Sequence, residues 1–445
     1  MPTAAAPRDG ARLGARLLPH GRRRPRLRAA KRRQRSLEHR ILLTATMCLL
    51  AFGAVMVYSA SSATTLLHGG GTGTGYLVKF AIFGGLGLVL MHVLARDGVA
   101  RVQSVTPPLL AVSLGLVLAV HLPHIGHSVN GAQRWLGPSM LQFQPSELLK
   151  LALVLYSATL LARKPKRVHD LRALRKPLLY VIAASLVLVG TEPDLGSAMV
   201  IVFTTAVLLV AAGIPLRKLG LLFAGLLGVV FLYALVKPYA RTRLTTFLDP
   251  WAHASSSGFQ AVQGQIAIGS GGFFGAGPGQ SVQKIFYLPE APTDFILAVV
   301  AEELGAIGVC ALLFLYGLIG FAGLRAARAA RSLYSALIAV GLTALILSQA
   351  ILNAFAVLGL APLTGVPLPF VSYGSSSLLV MLAAMGLLLN VASGATGHVR
   401  AVGRGSGRRD ARSGETPRWD SEPGAADRDR RRRNRGARRA RAGGR

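Results

Sequence analysis

The sequence predicts an all-α polytopic membrane protein, and three observations carry that prediction. Mean hydropathy over the chain is +0.47. Only 15% of its 445 residues are charged. Apolar runs of spanning length recur from residue 41 to residue 392. No alternating pattern is long enough to close a barrel, so the spans are read as helices. Ten are predicted, over 41–62, 77–95, 107–122, 145–162, 177–191, 195–213, 219–236, 293–323, 333–357 and 371–392. Cys48 and Cys310, the two cysteines, lie within apolar runs and supply neither a disulfide framework nor a metal spacing.

The net charge of +32 suggests nucleic acid until the charges are located. Thirteen Lys or Arg lie in residues 1–40 and sixteen in residues 393–445. These ends are expected to be disordered basic tails flanking a membrane domain over 41–392. Tails of this kind suit anionic lipid head groups or partner proteins rather than nucleic acid. The N-terminal tail is too long and too basic for a cleaved signal, so the first span reads as an uncleaved anchor.

Basic residues orient the bundle. With the N-terminus in the cytoplasm, the inner loops are 96–106, 163–176, 214–218 and 324–332, and 43 of the 50 basic residues fall inside. An even number of spans returns the C-terminus to the cytoplasm. The seven exceptions are Lys79, Arg134, Lys150, Lys237, Arg241, Arg243 and Lys284. Lys79 and Lys237 suit snorkelling anchors. The other five call for an anionic partner, in the protein or in a ligand.

The outer side carries the polar motifs. The third connection holds Asn130-Gly131-Ala132-Gln133-Arg134-Trp135. Histidines follow every third residue at His121, His124 and His127, without a supporting carboxylate. The fourth span opens with QPSELLK, where Glu147 and Lys150 are three apart and can pair or meet a ligand. Glu192-Pro193-Asp194 makes a tight outer turn. Asp194 can cap the next helix, or the two carboxylates can take a divalent cation such as Mg or Mn.

The longest connection, 237–292, lies between the seventh and eighth spans. Gln260 and Gln263 with their apolar neighbours predict a short amphipathic helix on the bilayer. GSGGFFGAGPG lacks the Gly-Lys-Ser/Thr ending of a phosphate loop and reads as a flap or re-entrant turn. Next comes YLPEAPTDFILAVVAEELG. Pro292 suits a first helical turn, and Asp294 would sit in that turn, ionised by the helix dipole. Glu302 and Glu303 follow roughly 12 Å along the helix, within apolar sequence. The tenth span opens with PLPFVSYGSSS, where the Ser372, Tyr373, Gly374 and Ser376 region suits a phosphate or sugar, or a serine-rich helix start.

NGAQRW, QPSELLK, EPDLG, FLDPW, YLPEAPTDFILAVVAEELG and PLPFVSYGSSS stand in order between residues 38 and 392. Together they resemble the FtsW/RodA family of shape, elongation, division and sporulation (SEDS) proteins. Ser-Val-Gln-Lys before YLPEA, and Val-Tyr-Ser-Ala-Ser-Ser in the first span, resemble its division branch. Arginine-rich tails on a Gly- and Ala-rich chain are similar to those of a high-GC actinobacterium.

The resemblance implies an inverting glycosyltransferase. It polymerises lipid II into peptidoglycan at the outer face, beside a class B penicillin-binding protein and other divisome membrane proteins. It places the essential acid at Asp294. Arg134, Lys150, Arg243 and Lys284 are the cations on the same side, and Glu147 and Glu290 fall in matching motifs as further substrate contacts. Asn130, Glu192, Asp194, Glu302 and Glu303 are expected to support them. Pro292 stands where the family usually has His, Ser375 where it usually repeats Gly, and Gln142 at a position that is often basic. A lipid II flippase and a divisome scaffold are the competing readings. A carrier is expected to show midplane sites and internal repeats, whereas here the polar groups lie outside.

Overall fold

The computed structural model describes residues 36–67, 73–122, 126–129, 132–138, 142–163, 178–220, 224–225, 228, 238–285, 288 and 290–394. Both basic tails, Asn130, His124 and most of the span predicted at 219–236 lie outside the described residues. The described part belongs to one compact unit, residues 1–398.

Its helices are α1 (Leu37–Leu67), α2 (Gly75–Val120), α3 (Pro145–Arg163), α4 (Tyr180–Thr191), α5 (Leu195–Ala211), α6 (Pro238–Leu248), α7 (Phe259–Gly271), α8 (Ile296–Arg328), α9 (Leu333–Val357) and α10 (Ser375–Ala392). Seven described segments are long and apolar enough to cross a membrane: one each in α1, α3, α8, α9 and α10, and two in α2. α4 and α5 are shorter apolar helices. α10 is the central post, buried along almost its whole length and packed most heavily on α2. Asn390 of α10 donates to the carbonyls of Ala95 and Arg96, both at 2.9 Å, and pins the two helices together.

Two expectations are corrected. The inner loop predicted at 96–106 is helical, and α2 runs unbroken from Gly75 to Val120 with Pro107 and Pro108 inside it. Charges at Arg96 and Arg101 end the apolar pattern. That pattern marks where lipid contact stops, not where the backbone leaves the helix. The tenth span begins at Ser375 rather than at 371. A small antiparallel hairpin, β1 (Gly126–Val129) with β2 (Ala132–Leu136), stands in the third connection.

The expected helix near Gln260 and Gln263 forms as α7, but its Val262, Gly264, Ala267 and Gly271 are buried against the bundle. Small residues allow that approach. A Cβ at Gly264 would come within 2.8 Å of the Phe295 ring, and one at Gly271 would strike the Ala301 carbonyl.

α8 is broken at Gly305, whose φ of 65° and ψ of −163° lie far from helical values. The glycine-rich segment after α7 repairs the break. Ala276 N donates to the Glu302 carbonyl at 2.9 Å and Gly277 N to that of Glu303 at 3.0 Å. Below the break, Ala306 N donates to the Gly272 carbonyl at 3.0 Å and Ile307 N to that of Phe273 at 3.4 Å. Backbone polar groups freed inside an apolar bundle must find partners within the protein. The glycine run is therefore a splice in a broken helix, not a flap. A Cβ at Gly275, itself at φ +85°, would strike the Glu303 carbonyl.

Candidate active site

A cavity of about 770 Å³ opens between the hairpin, α6, α7 and the starts of α3 and α10. Asp294 lines it, with Arg134 and Arg243. Glu290, Tyr373, Gly374 and Ser376 line it too, so seven of the sequence-predicted site residues converge.

Asp294 does not sit in the first turn of α8. The helix starts at Ile296 with Phe295 as its N-cap, and 290–295 form turns. Pro292 extends this turn instead of opening the helix. Glu290 holds a left-handed φ of 56°, a conformation that costs a non-glycine residue energy and needs surrounding support. The Thr293 hydroxyl lies 2.9 Å from the Glu290 carbonyl, 3.1 Å from Glu290 Oε2 and 3.2 Å from Asp294 Oδ1. One hydroxyl proton is shared among these three acceptors.

The carboxyl of Asp294 is raised from 3.8 to about 6. Burial is the main cause and the neighbouring Glu290 charge adds to it. Its own backbone N–H, the Thr293 hydroxyl and the Arg243 guanidinium pull the other way. The group is therefore largely ionised at neutral pH yet basic enough to accept a proton.

The cations divide sharply. Arg243 on α6 donates to the Leu363 carbonyl at 2.6 Å and borders the cavity. Arg134 on β2 stands 3.9 Å from Asp194 Oδ1. Lys150 is not in the cavity: its ammonium is buried 2.9 Å from Glu147, whose other oxygen accepts from Gln349 at 3.4 Å. This is an internal pair, as one reading of QPSELLK has it. Lys284 also lies outside the cavity. It is 2.7 Å from Glu303 and donates to Ser59 at 3.1 Å and to the Gly279 carbonyl at 2.8 Å. Glu302 accepts from Ser281 Oγ and, at 2.9 Å, from Val282 N. Lys284, Glu302 and Glu303 tie the outer connection to the helix break. Ser372 turns inward too, accepting from Leu368 N at 2.9 Å.

Asp194 caps α5 through Ser197 N at 3.0 Å, and its other oxygen accepts from Gln144 Nε2 at 2.9 Å and Ser146 Oγ at 3.1 Å. Both Glu192 oxygens are buried without a hydrogen-bonding partner among the described residues. Burial, reinforced by Asp194 and opposed by Arg134, pushes Glu192 up to about 8. No cluster of three candidate metal ligands occurs among the described residues.

Sequence reasoning missed Gln144, Gln265 and Tyr76 as cavity residues. Tyr76 packs edge-on against Tyr373 with ring centroids 5.0 Å apart. Gln144 opens the QPSELLK motif, and its backbone N donates to Ser376 Oγ at 3.3 Å. Ser375 and Gln142, two of the three departures from the resemblance, meet through a 2.9 Å hydrogen bond from Ser375 Oγ to the Gln142 carbonyl.

The model of the FtsW/RodA/SpoVE family, described as a cell cycle protein, matches residues 39–396. The chain belongs to this family. It is 38% identical to stage V sporulation protein E of Bacillus subtilis over 353 residues, 79% of this chain and 96% of that protein. It is 41% identical to the probable peptidoglycan glycosyltransferase FtsW of Coxiella burnetii over 356 residues, 79% of this chain and 95% of that protein. Among solved structures, a chain described with the coordination of polymerization and crosslinking by a peptidoglycan synthase complex superposes with a TM-score of 0.65 at 32% identity. That match covers 79% of this chain and 96% of the other. The Thermus thermophilus rod shape determining protein RodA gives 0.57 at 31%, covering 79% and 95%. The protein is thus a multi-pass helical membrane member of the FtsW/RodA/SpoVE family.

Proposed function

We propose that this chain is a peptidoglycan glycosyltransferase that polymerises lipid II, with Asp294 as general base. The observation that carries the reading is the Asp294 carboxylate, raised to about 6 by burial and by the neighbouring Glu290, facing a cavity shared with two arginines. In the reaction, the acceptor 4-hydroxyl oxygen attacks the anomeric carbon of the donor sugar. A new C–O bond forms as the bond to the pyrophosphate oxygen breaks, with inversion. The hydroxyl proton passes to Asp294, and the electron pair leaves with undecaprenyl pyrophosphate. Oriented cations stabilise that leaving charge, and Arg134 and Arg243 border the cavity where it develops. Tyr76, Tyr373 and the glutamines offer the aromatic faces and amides that suit a sugar.

The enzyme works at the outer face of the cytoplasmic membrane with both termini inside, a reading supported by the distribution of basic residues. Its partners are a class B penicillin-binding protein, which crosslinks the strands, and other divisome membrane proteins. The tails meet anionic lipid and not nucleic acid. The division branch at the septum of a high-GC actinobacterium is the favoured setting. The likeness to a sporulation protein keeps a paralogue of the same activity as the second reading.

The test supplies lipid II to the purified chain and its cognate penicillin-binding protein, with the transpeptidase serine blocked. Glycan strands cleavable by a β-1,4 muramidase are expected. Transbilayer movement of lipid II without any polymer would instead establish a flippase.

A further inference from the structure

Asn353 lies on α9, four residues before that helix ends, and is 2% exposed. Its amide nitrogen donates to two backbone carbonyls, that of Asp294 at 2.7 Å and that of Val366 at 2.8 Å. Both carbonyls need such a partner. Asp294 precedes the N-cap of α8, and that helix begins its own ladder with Ala298 N to the Phe295 carbonyl at 3.0 Å. Val366 lies in the irregular connection between α9 and α10. A buried carbonyl outside a ladder must be satisfied by a side chain or water.

The two segments that Asn353 joins flank the reacting carboxylate. Gly365 adjoins Val366 at φ +66°, and a Cβ there would stand 3.8 Å from Asp294 Oδ2. A second strap crosses the same gap, from Tyr373 N to the Pro292 carbonyl at 2.9 Å. The Phe295 ring, on the next residue, lies against Gly264 of α7. Within the turn that carries Asp294, Thr293 N and Phe295 N donate to the Glu290 carbonyl at 3.1 and 3.4 Å, and the contacts to Asn353, Tyr373 and Gly264 hold that turn against its neighbours.

We infer that Asn353 is a positioning residue for Asp294, clamping its carbonyl to that of Val366 and so fixing the carboxylate at the cavity wall. The inference rests on the reading of Asp294 as general base. Asn353 does not line the cavity. It acts by holding the base in register with the acceptor hydroxyl, where a displacement of about 1 Å can cost a hundredfold in rate. The charged and titratable groups that share the cavity with Asp294 are Glu290, Arg243 from α6, Arg134 from β2, Tyr76 from α2 and Tyr373 ahead of α10. Substituting Asn353 leaves all of them in place.

The test compares Asn353→Leu, which keeps the branched skeleton and removes both donors, with Asn353→Ala, each as the full chain with its penicillin-binding protein. Folding is checked by gel filtration and melting in detergent, and strand synthesis from lipid II is followed against pH. The expected result is a kcat lowered about ten- to a hundredfold with KM within about twofold. The acidic limb of kcat/KM should also move to lower pH, because a loosened turn lets water reach the carboxylate. A purely structural role would lower the melting temperature and leave that limb in place. Either folded variant with wild-type kcat and an unmoved limb overturns the inference. Polymerisation that survives Asp294→Asn would overturn the base itself, an outcome separable from the first.

Discussion

The ammonium of Lys284 lies 2.7 Å from Glu303 Oε1, nineteen residues further along the chain and just above the break in α8. Both groups are buried, and Ser59 of α1 donates to the same carboxylate at 2.6 Å. One ion pair thus joins the outer connection, α1 and α8 at the point where α8 loses its own backbone ladder. Removing one partner of such a pair strands the other charge and costs about 3–5 kcal/mol, whereas removing both together can be nearly neutral. Lys284→Met and Glu303→Gln are each expected to lower the melting temperature strongly. The double variant should recover much of the loss. Additive losses in the double variant would show that the pair is not coupled.

The acidic limb of kcat/KM reports the base in the free enzyme. Asp294 is raised to about 6, so activity should fall as pH drops through that value. Arg243 lowers this group and Glu290 raises it. Arg243→Gln should therefore move the limb to higher pH, and Glu290→Gln should move it to lower pH. Shifts in the same direction for both would contradict the electrostatic account of the site.

Glu192 carries a sign that can be worked out. Its folded value is about 8, above the ordinary 4.5. The folded chain holds a proton that the unfolded chain releases, so stability falls as pH rises from about 4.5 towards 8. Glu192→Gln removes that loss. Its melting temperature should exceed the wild type at pH 8 and approach it near pH 5. A variant that melts lower than wild type at pH 8 would show that the carboxylate is ionised and held by partners.

Much of this arrangement was legible in the chain, and the failures have physical reasons. Asp294 stood out as an acid entering an apolar run, and Arg134 and Arg243 as cations on the wrong side of the charge bias. Lys150 and Lys284 carried the same signal yet are spent on Glu147 and Glu303. Charge bias shows that a cation needs an anion, without telling a protein carboxylate from a ligand. The break at Gly305 was hidden because a glycine in an apolar run reads as helix unless its φ is known. Asn353 was hidden for a different reason. One amide on an apolar helix has no periodic signature, and its two carbonyl partners lie on other segments.

Gly365 tests the backbone beside the base. Its φ of +66° strains any other residue, and its Cβ would meet Asp294 Oδ2 at 3.8 Å. Gly365→Ala is expected to lower kcat with the chain still folded and inserted. Activity equal to wild type would mean that this wall of the cavity does not bear on the reaction.

Asp294→Asn keeps the shape of the side chain and removes the acceptor of the proton. A general base contributes about a hundred- to ten-thousandfold to rate. The decisive measurement is therefore strand synthesis from lipid II by folded Asp294→Asn protein in complex with its penicillin-binding protein. A loss within that range at unchanged lipid II binding is the predicted result, and strand synthesis at the wild-type rate would contradict the account.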